Sequence, residues 1–135
     1  MEIGKVKAVK IWANLGVDDL ERTFDFYTGL GFESNMSRPS DALTSLRFGK
    51  DGFVINFFKK DKLKWAMNGD IANLGQGNEV MFSLSAETKE EIAAWADQAE
   101  RLGGRVFRPA SYDEDGYYYC GFADPDGHMF NVLLM

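Results

Sequence analysis

A chain of 135 residues, 45% apolar and 14% aromatic, holds enough material for one domain with a sizeable core. A net charge of −6 excludes the basic face that nucleic-acid binding needs to displace counterions from phosphates. The one cysteine, Cys120, excludes an internal disulfide and a thiolate metal cluster, and no apolar run approaches the ~18 residues of a membrane span. Met1 to Lys5 lacks the basic-then-apolar pattern of a secretory signal, so a cytoplasmic protein with no membrane partner is expected.

Lys5 to Leu15 alternates Val6, Ile11, Ala13 and Leu15 with Lys7, Lys10, Trp12 and Asn14, which predicts a first strand with two unlike faces. Asp18, with Glu21 three residues on, predicts a helix start, and Leu20, Phe24, Tyr27 and Leu30 share one stripe up to Gly31. Phe32 to Met36, Leu43 to Phe48 and Phe53 to Phe58 read as three further strands. Lys59 to Asn78 is polar and turn-rich, with Lys59, Lys60, Lys62 and Lys64 around Trp65, and reads as a solvated linker with room for one short helix. The order then repeats: strand Glu79 to Ser85, a helix from Thr88, and strands at Arg105 to Phe107, Tyr117 to Phe122 and Met129 to Leu134. Thr88 and Glu91 form a capping box, Ile92, Trp95, Ala96, Ala99 and Leu102 make the apolar stripe, and Gly103 offers the left-handed stop.

Both halves therefore read β-α-β-β-β, and their last strands are near copies. Asp51-Gly-Phe-Val-Ile-Asn-Phe-Phe58 follows Phe48; Asp126-Gly-His-Met-Phe-Asn-Val-Leu133 follows Phe122. Each echo joins a Gly turn to an apolar strand and sets an Asn at the same place, Asn56 and Asn131, which a duplicated module would bring to equivalent places in a shared cavity. The expected fold is α+β: two tandem βαβββ modules, about 5–58 and about 79–135 with a linker at about 59–78, forming a curled mixed sheet around a cavity with the helices outside.

Three features carry a family resemblance: the paired modules, the Leu15-Gly-Val-Asp-Asp-Leu-Glu-Arg-Thr-Phe-Asp-Phe-Tyr-Thr-Gly-Leu-Gly-Phe32 segment, and the ending Phe122-Ala-Asp-Pro-Asp-Gly-His-Met-Phe-Asn-Val-Leu133. Across nearly its whole length the chain resembles the vicinal oxygen chelate superfamily, which contains glyoxalase I, extradiol dioxygenases, fosfomycin resistance enzymes and bleomycin resistance proteins. The resemblance implies a homodimer, and metal ligands at equivalent positions on the first and last strand of each module. Here those positions fall on Trp12, Asn56, Glu79 and Asn131, of which Glu79 alone is an ordinary ligand for a divalent ion. A Trp indole has no usable lone pair, and two neutral amides compensate a dication poorly. No catalytic metal is therefore expected, and Trp12 is read as filling the metal's space.

Strand alternation would bring Lys10, Asn14, Val54, Phe58, Met81, Ser83, Met129 and Leu133 to the same concave side. Apolar walls with a few amides make a small-molecule pocket, so Trp12, Asn14, Asn56, Glu79, Met81, Tyr119, Met129 and Asn131 are the candidate ligand contacts, Tyr119 being drawn from the Tyr117-Tyr118-Tyr119 run. His128, the only histidine, opens the last strand and is read as bonding its turn; Cys120 is read as an inert small hydrophobe. Glu79 is divided between a salt bridge with Lys10 and an anchor for a cationic or hydroxylated ligand. Three functions follow: a metal-free protein that binds a small organic molecule, a metal-dependent lyase or dioxygenase of the glyoxalase type, and a metal-free acid/base enzyme using Glu79.

Overall fold

Eight short strands, most of them apolar, divide into two sets of four, and each set makes one mixed sheet. The computed structural model describes residues 4–38 and 40–135; Met1 to Ile3, part of the stretch read for a leader, lie outside the described residues. The elements run β1 (Ala13–Val17), α1 (Leu20–Gly29), β2 (Glu33–Ser34), β3 (Leu43–Phe48), β4 (Phe53–Lys59), α2 (Lys60–Met67), β5 (Met81–Ala86), α3 (Lys89–Arg101), β6 (Arg105–Tyr112), β7 (Tyr118–Ala123) and β8 (Met129–Leu134). One sheet has the order β1-β4-β3-β2 and the other β5-β8-β7-β6. In each, the first and last strands of the module are parallel and the remaining pairs antiparallel. This is the duplicated α+β plan. No helix among the described residues is long and apolar enough to cross a membrane.

The strand expected from Lys5 begins only at Ala13. Ala13 already lies opposite Ile55, two residues into β4, so the chain before Ile11 runs past the start of its only neighbour and finds no ladder to join. The second-module strand likewise starts at Met81 rather than Glu79. The linker contains the one short helix, α2, which ends on Asn68 in the left-handed conformation.

α1 is capped by Asp19, whose carboxylate accepts the Arg22 backbone N–H at 3.1 Å. The expected stripe is turned on this helix: Thr23, Phe26 and Tyr27 are buried, whereas Phe24 is 39% exposed. Two surfaces rather than one explain the turn. Tyr27 stacks on Phe57 of one sheet with centroids 4.7 Å apart and meets Phe130 of the other at 5.8 Å, while Phe26 lies 6.3 Å from Phe122. α3 keeps its expected stripe, with Ile92 and Ala99 buried and Thr88 Oγ1 accepting the Glu91 N–H at 3.1 Å. Trp95 on α3 stacks with Phe122 at 6.4 Å and meets Phe32 at 5.5 Å. The two sheets, α1 and α3 thus share a single aromatic core, sealed directly by Phe48 stacked on Phe130 at 6.0 Å.

A buried polar joint lies at the edge of that core. The Asp124 side chain is fully enclosed and accepts four hydrogen bonds. Tyr27 Oη donates to Oδ2 at 2.6 Å and His128 Nδ1 meets the same oxygen at 2.8 Å, while the backbone N–H groups of Asp126 and His128 donate to Oδ1 at 3.0 and 2.9 Å. Asp126 continues the joint outward, accepting the Asp18 N–H and the Arg22 guanidinium at 3.0 Å each. The Asp-Pro-Asp-Gly-His run therefore fixes the first module's helix to the second module's last strand. Burial, and next the charge of Asp124, hold the Tyr27 phenol well above its ordinary range, so it stays protonated as a donor.

Tyr27→Phe removes one hydrogen bond to a carboxylate without changing the core's shape, and is expected to cost about 1.5–3 kcal/mol in urea unfolding with an unchanged m-value. The folded chain holds the phenol proton more tightly than the unfolded chain. Unfolding therefore releases protons above pH ~10, and stability, fully present below that pH, falls as pH rises. The alkaline slope of stability should be shallower in Tyr27→Phe, as read from unfolding curves between pH 9 and 11.

Candidate functional site

Side chains that alternate with the core residues form two outward faces. Ile55 and Phe57 point into the shared core and Asn56 points away; Phe130 and Val132 point in and Asn131 points away. The two Asn thus hold equivalent places on their sheets. Within one chain they do not share a cavity, because the core lies between the faces that carry them.

On the first face, Asn14 lies opposite Asn56 and Ser45 lies on Asn56's other side. Asn56 Nδ2 donates to Asn14 Oδ1 at 3.4 Å, Asn35 Nδ2 donates to Ser45 Oγ at 3.2 Å, and Arg47 reaches Asn35 Oδ1 at 3.2 Å and Glu33 at 3.0 Å. These bonds form two polar groups on one face, Asn14 with Asn56, and Ser45 with Asn35, Arg47 and Glu33. Trp12 precedes β1 and stands 52% exposed.

The second face is built differently. Ser83, Asn131, Gly121 and Arg108 form one row across β5, β8, β7 and β6, with Met81, Met129 and Ala123 on one side of it and Ser85, Leu133 and Tyr119 on the other. Asn131 is only 8% exposed, and its Oδ1 is buried with no hydrogen-bond partner among the described residues. A buried acceptor left without a donor is a standing cost that a ligand N–H or O–H would remove. Phe107 lies over the row at Gly121: a Cβ there would come 2.5 Å from its ring, so any larger residue would require the Phe107 side chain to move. The Arg108 guanidinium lies 4.5 Å over the Tyr119 ring. The extra residue in β6 between Val106 and Arg108 is what lets Phe107 turn onto this face.

Strand register also revises the positional equivalence. With Asn56 matched to Asn131, Asn14 corresponds to Ser83, Trp12 to Met81 and Lys10 to Glu79. Glu79 thus sits two residues before the place that a first-strand ligand would occupy, outside β5 and exposed. The donors at the four register-matched places are an indole, a thioether and two amides, which do not suit a hard dication. No group of three or more His, Cys, Asp or Glu side chains among the described residues could hold a metal ion.

Of the sequence candidates, Asn14 and Asn56 come together on one face, and Met81, Met129, Asn131 and Tyr119 on the other. Phe107, Gly121 and Arg108 complete the second face and were not singled out from sequence. The signal for them was a glycine inside an apolar strand, which marks a close approach. His128 faces inward, its ring edge-on to Phe57 at 6.0 Å and its Nδ1 committed to Asp124. A separate cleft of about 790 Å³ opens between the first turn of α1 and the loop before β3, lined by Phe24, Met36, Leu43, Glu21, Asp41 and Lys59 among others, and includes none of the sequence candidates.

A family model described as Glyoxalase/Bleomycin resistance protein/Dioxygenase superfamily matches residues 11–132. The chain belongs to this superfamily. Among solved structures, hypothetical protein SA1046 from S. aureus is 28% identical with a TM-score of 0.85, 96% of each chain being covered. A glyoxalase-related enzyme from Fulvimarina pelagi is 22% identical with a TM-score of 0.80, covering 95% of this chain and 89% of that one. A bleomycin-binding protein solved with bleomycin is 19% identical with a TM-score of 0.57, covering 95% of this chain and 99% of that one. None of the curated proteins compared with the chain matches it.

Within the glyoxalase/bleomycin resistance fold seen here, Cys120 is fully buried, its Sγ donating to Ile92 O at 3.6 Å. Burial pushes the thiol up to about 11. It is no nucleophile at neutral pH. Iodoacetamide at pH 8 should alkylate the folded chain at least about 100-fold more slowly than the chain in urea, as followed by mass spectrometry.

Proposed function

We propose that this member of the superfamily binds a small organic molecule against the Asn131 face without a metal ion. The buried, undonated Asn131 Oδ1 carries the proposal. The ligand would present an N–H or O–H to that oxygen and lay an apolar body on Met81, Met129 and Phe107, with Ser83 and Tyr119 at its margins. One sheet face supplies only one wall. A second copy of the chain, with its Asn14 and Asn56 pair turned inward, would supply the other and make the protein a homodimer. A relative solved with bleomycin is consistent with a small organic ligand on this fold, and the indole, thioether and amide set argues against a metal-dependent lyase or dioxygenase. Glu79, outside the register of the face, is not assigned an acid/base role.

Asn131→Leu keeps the volume and removes the undonated acceptor. The ligand-free variant is expected to be more stable than the parent in urea, by up to about 1–3 kcal/mol, and to bind at least about tenfold more weakly in calorimetry with bleomycin or with any compound that raises the melting temperature of the parent. A destabilised variant with unchanged affinity would assign Asn131 to structure alone. Elemental analysis of the purified protein tests the metal: stoichiometric zinc, nickel, manganese or iron that resists mild chelation would overturn the metal-free reading.

A further inference from the structure

Three buried side-chain polar atoms among the described residues have no hydrogen-bond partner, and two of them lie on one row of the second sheet. Asn131 Oδ1 is an acceptor without a donor. Arg108 Nε, two strands away in the same row, is a donor without an acceptor. Between them on β7 stands Gly121, with the Phe107 ring in the space that a side chain there would take. At about 4.8 Å per strand, the Cα atoms of Asn131 and Arg108 are about 10 Å apart.

The Arg108 guanidinium is positioned but not neutralised. It lies 4.5 Å from the centre of the Tyr119 ring, and its Nη2 reaches Tyr112 O at only 3.5 Å. Among the described residues no carboxylate forms an ion pair with it. Asp113, Glu114 and Asp115 share a shallow hollow with Arg108, but Asp113 Oδ1 is occupied by the N–H groups of Asp115 and Tyr117 in its own turn. Arg105, whose guanidinium lies 5.9 Å from the Phe107 ring, has no ion pair among these residues either. In a chain of net −6, with acids in surplus, two guanidinium groups beside one aromatic ring have been left without carboxylates.

We propose that the molecule bound on the Asn131 face is a monocarboxylate with a flat apolar body and a hydroxyl or amine at its far end. The carboxylate pairs with Arg108, the body lies on Phe107, and the far end donates to Asn131 Oδ1. This rests on the binding reading above and adds the charge and shape of the ligand. A guanidinium offers a carboxylate two parallel N–H donors, whereas a neutral amide presents it a single uncharged oxygen. Any molecule that joins the two ends crosses the Phe107 ring, where a flat body gains a stacking contact. A cation would meet Arg108 and Arg105 as like charges. A dianion such as a phosphate monoester would be repelled by the acids that border Arg108, so a single negative charge fits best.

The test titrates para-hydroxybenzoate, para-hydroxybenzamide and benzoate into the full chain at neutral pH and reads affinity by calorimetry. The acid is expected to bind at least about tenfold more tightly than the amide, a comparison that needs no variant. Arg108→Gln should remove that preference by weakening the acid and leaving the amide within about twofold. Equal affinities for acid and amide in the parent, no binding of the acid at about 10 mM, or a preference that survives Arg108→Gln each overturn the proposal. Benzoate, which lacks the donor, reads the other end. It should bind at least about tenfold more weakly than para-hydroxybenzoate, and Asn131→Leu should abolish the difference. If benzoate binds as tightly and Asn131→Leu changes nothing, the hydroxyl contact and the Asn131 reading fail together, while a preference for acid over amide that Arg108→Gln removes still assigns the carboxylate to Arg108.

Discussion

One enclosed carboxylate holds the two halves of this molecule in register with each other. Asp124 reaches Tyr27 from the first module, His128 from its own strand and two backbone donors of its turn, so that every lone pair it presents has a partner. The aromatic core can then close around α1 with both sheets in contact, because the polar atoms that would spoil it are already paired. The place equivalent to Asp124 in the first module is Gly49, and the place equivalent to His128 is Phe53, which is 37% exposed. Duplication made two similar sheets; a difference at two positions made them into one body.

The same asymmetry appears on the outward faces. Asn56 donates to Asn14, whereas Asn131 stands between Ser83 and Gly121 and keeps an oxygen undonated. Stability alone would have favoured an apolar residue there. A buried acceptor retained without a donor is the mark of a site rather than of a core, and its neighbours Met81 and Met129 supply adaptable contact surface around it.

Much of the architecture was legible in the sequence. Leu43 to Phe48, Met129 to Leu134 and the Thr88 helix are set by local signals, namely apolar runs bounded by turn glycines and a capping pair, and these are the elements whose bounds or start the structure keeps. What eluded sequence was decided by tertiary partners. The first strand looks equally good from Lys5 onward, but only residues with a neighbour in β4 become strand. α1 turns Phe26 inward because a second sheet is there to meet it. Glu79 alternates as though it belonged to β5, but Met81 is where pairing with Met129 begins. Phe107 and Gly121 are distant in pattern and adjacent in space, joined by a bulge that no periodicity announces.

The Tyr27 to Asp124 bond joins residues 97 positions apart, and the parallel pairings of β1 with β4 and of β5 with β8 join residues 42 and 48 positions apart. Such a topology folds slowly compared with one built from neighbouring contacts, since loop closure must come before the contacts that reward it. During synthesis, α1 emerges with Phe26 and Tyr27 while their partners Phe122, Asp124 and Phe130 are still about a hundred residues from being made. For that interval the first module carries an aromatic surface without its cover, which makes the nascent half-chain the form most open to aggregation and to capture by chaperones.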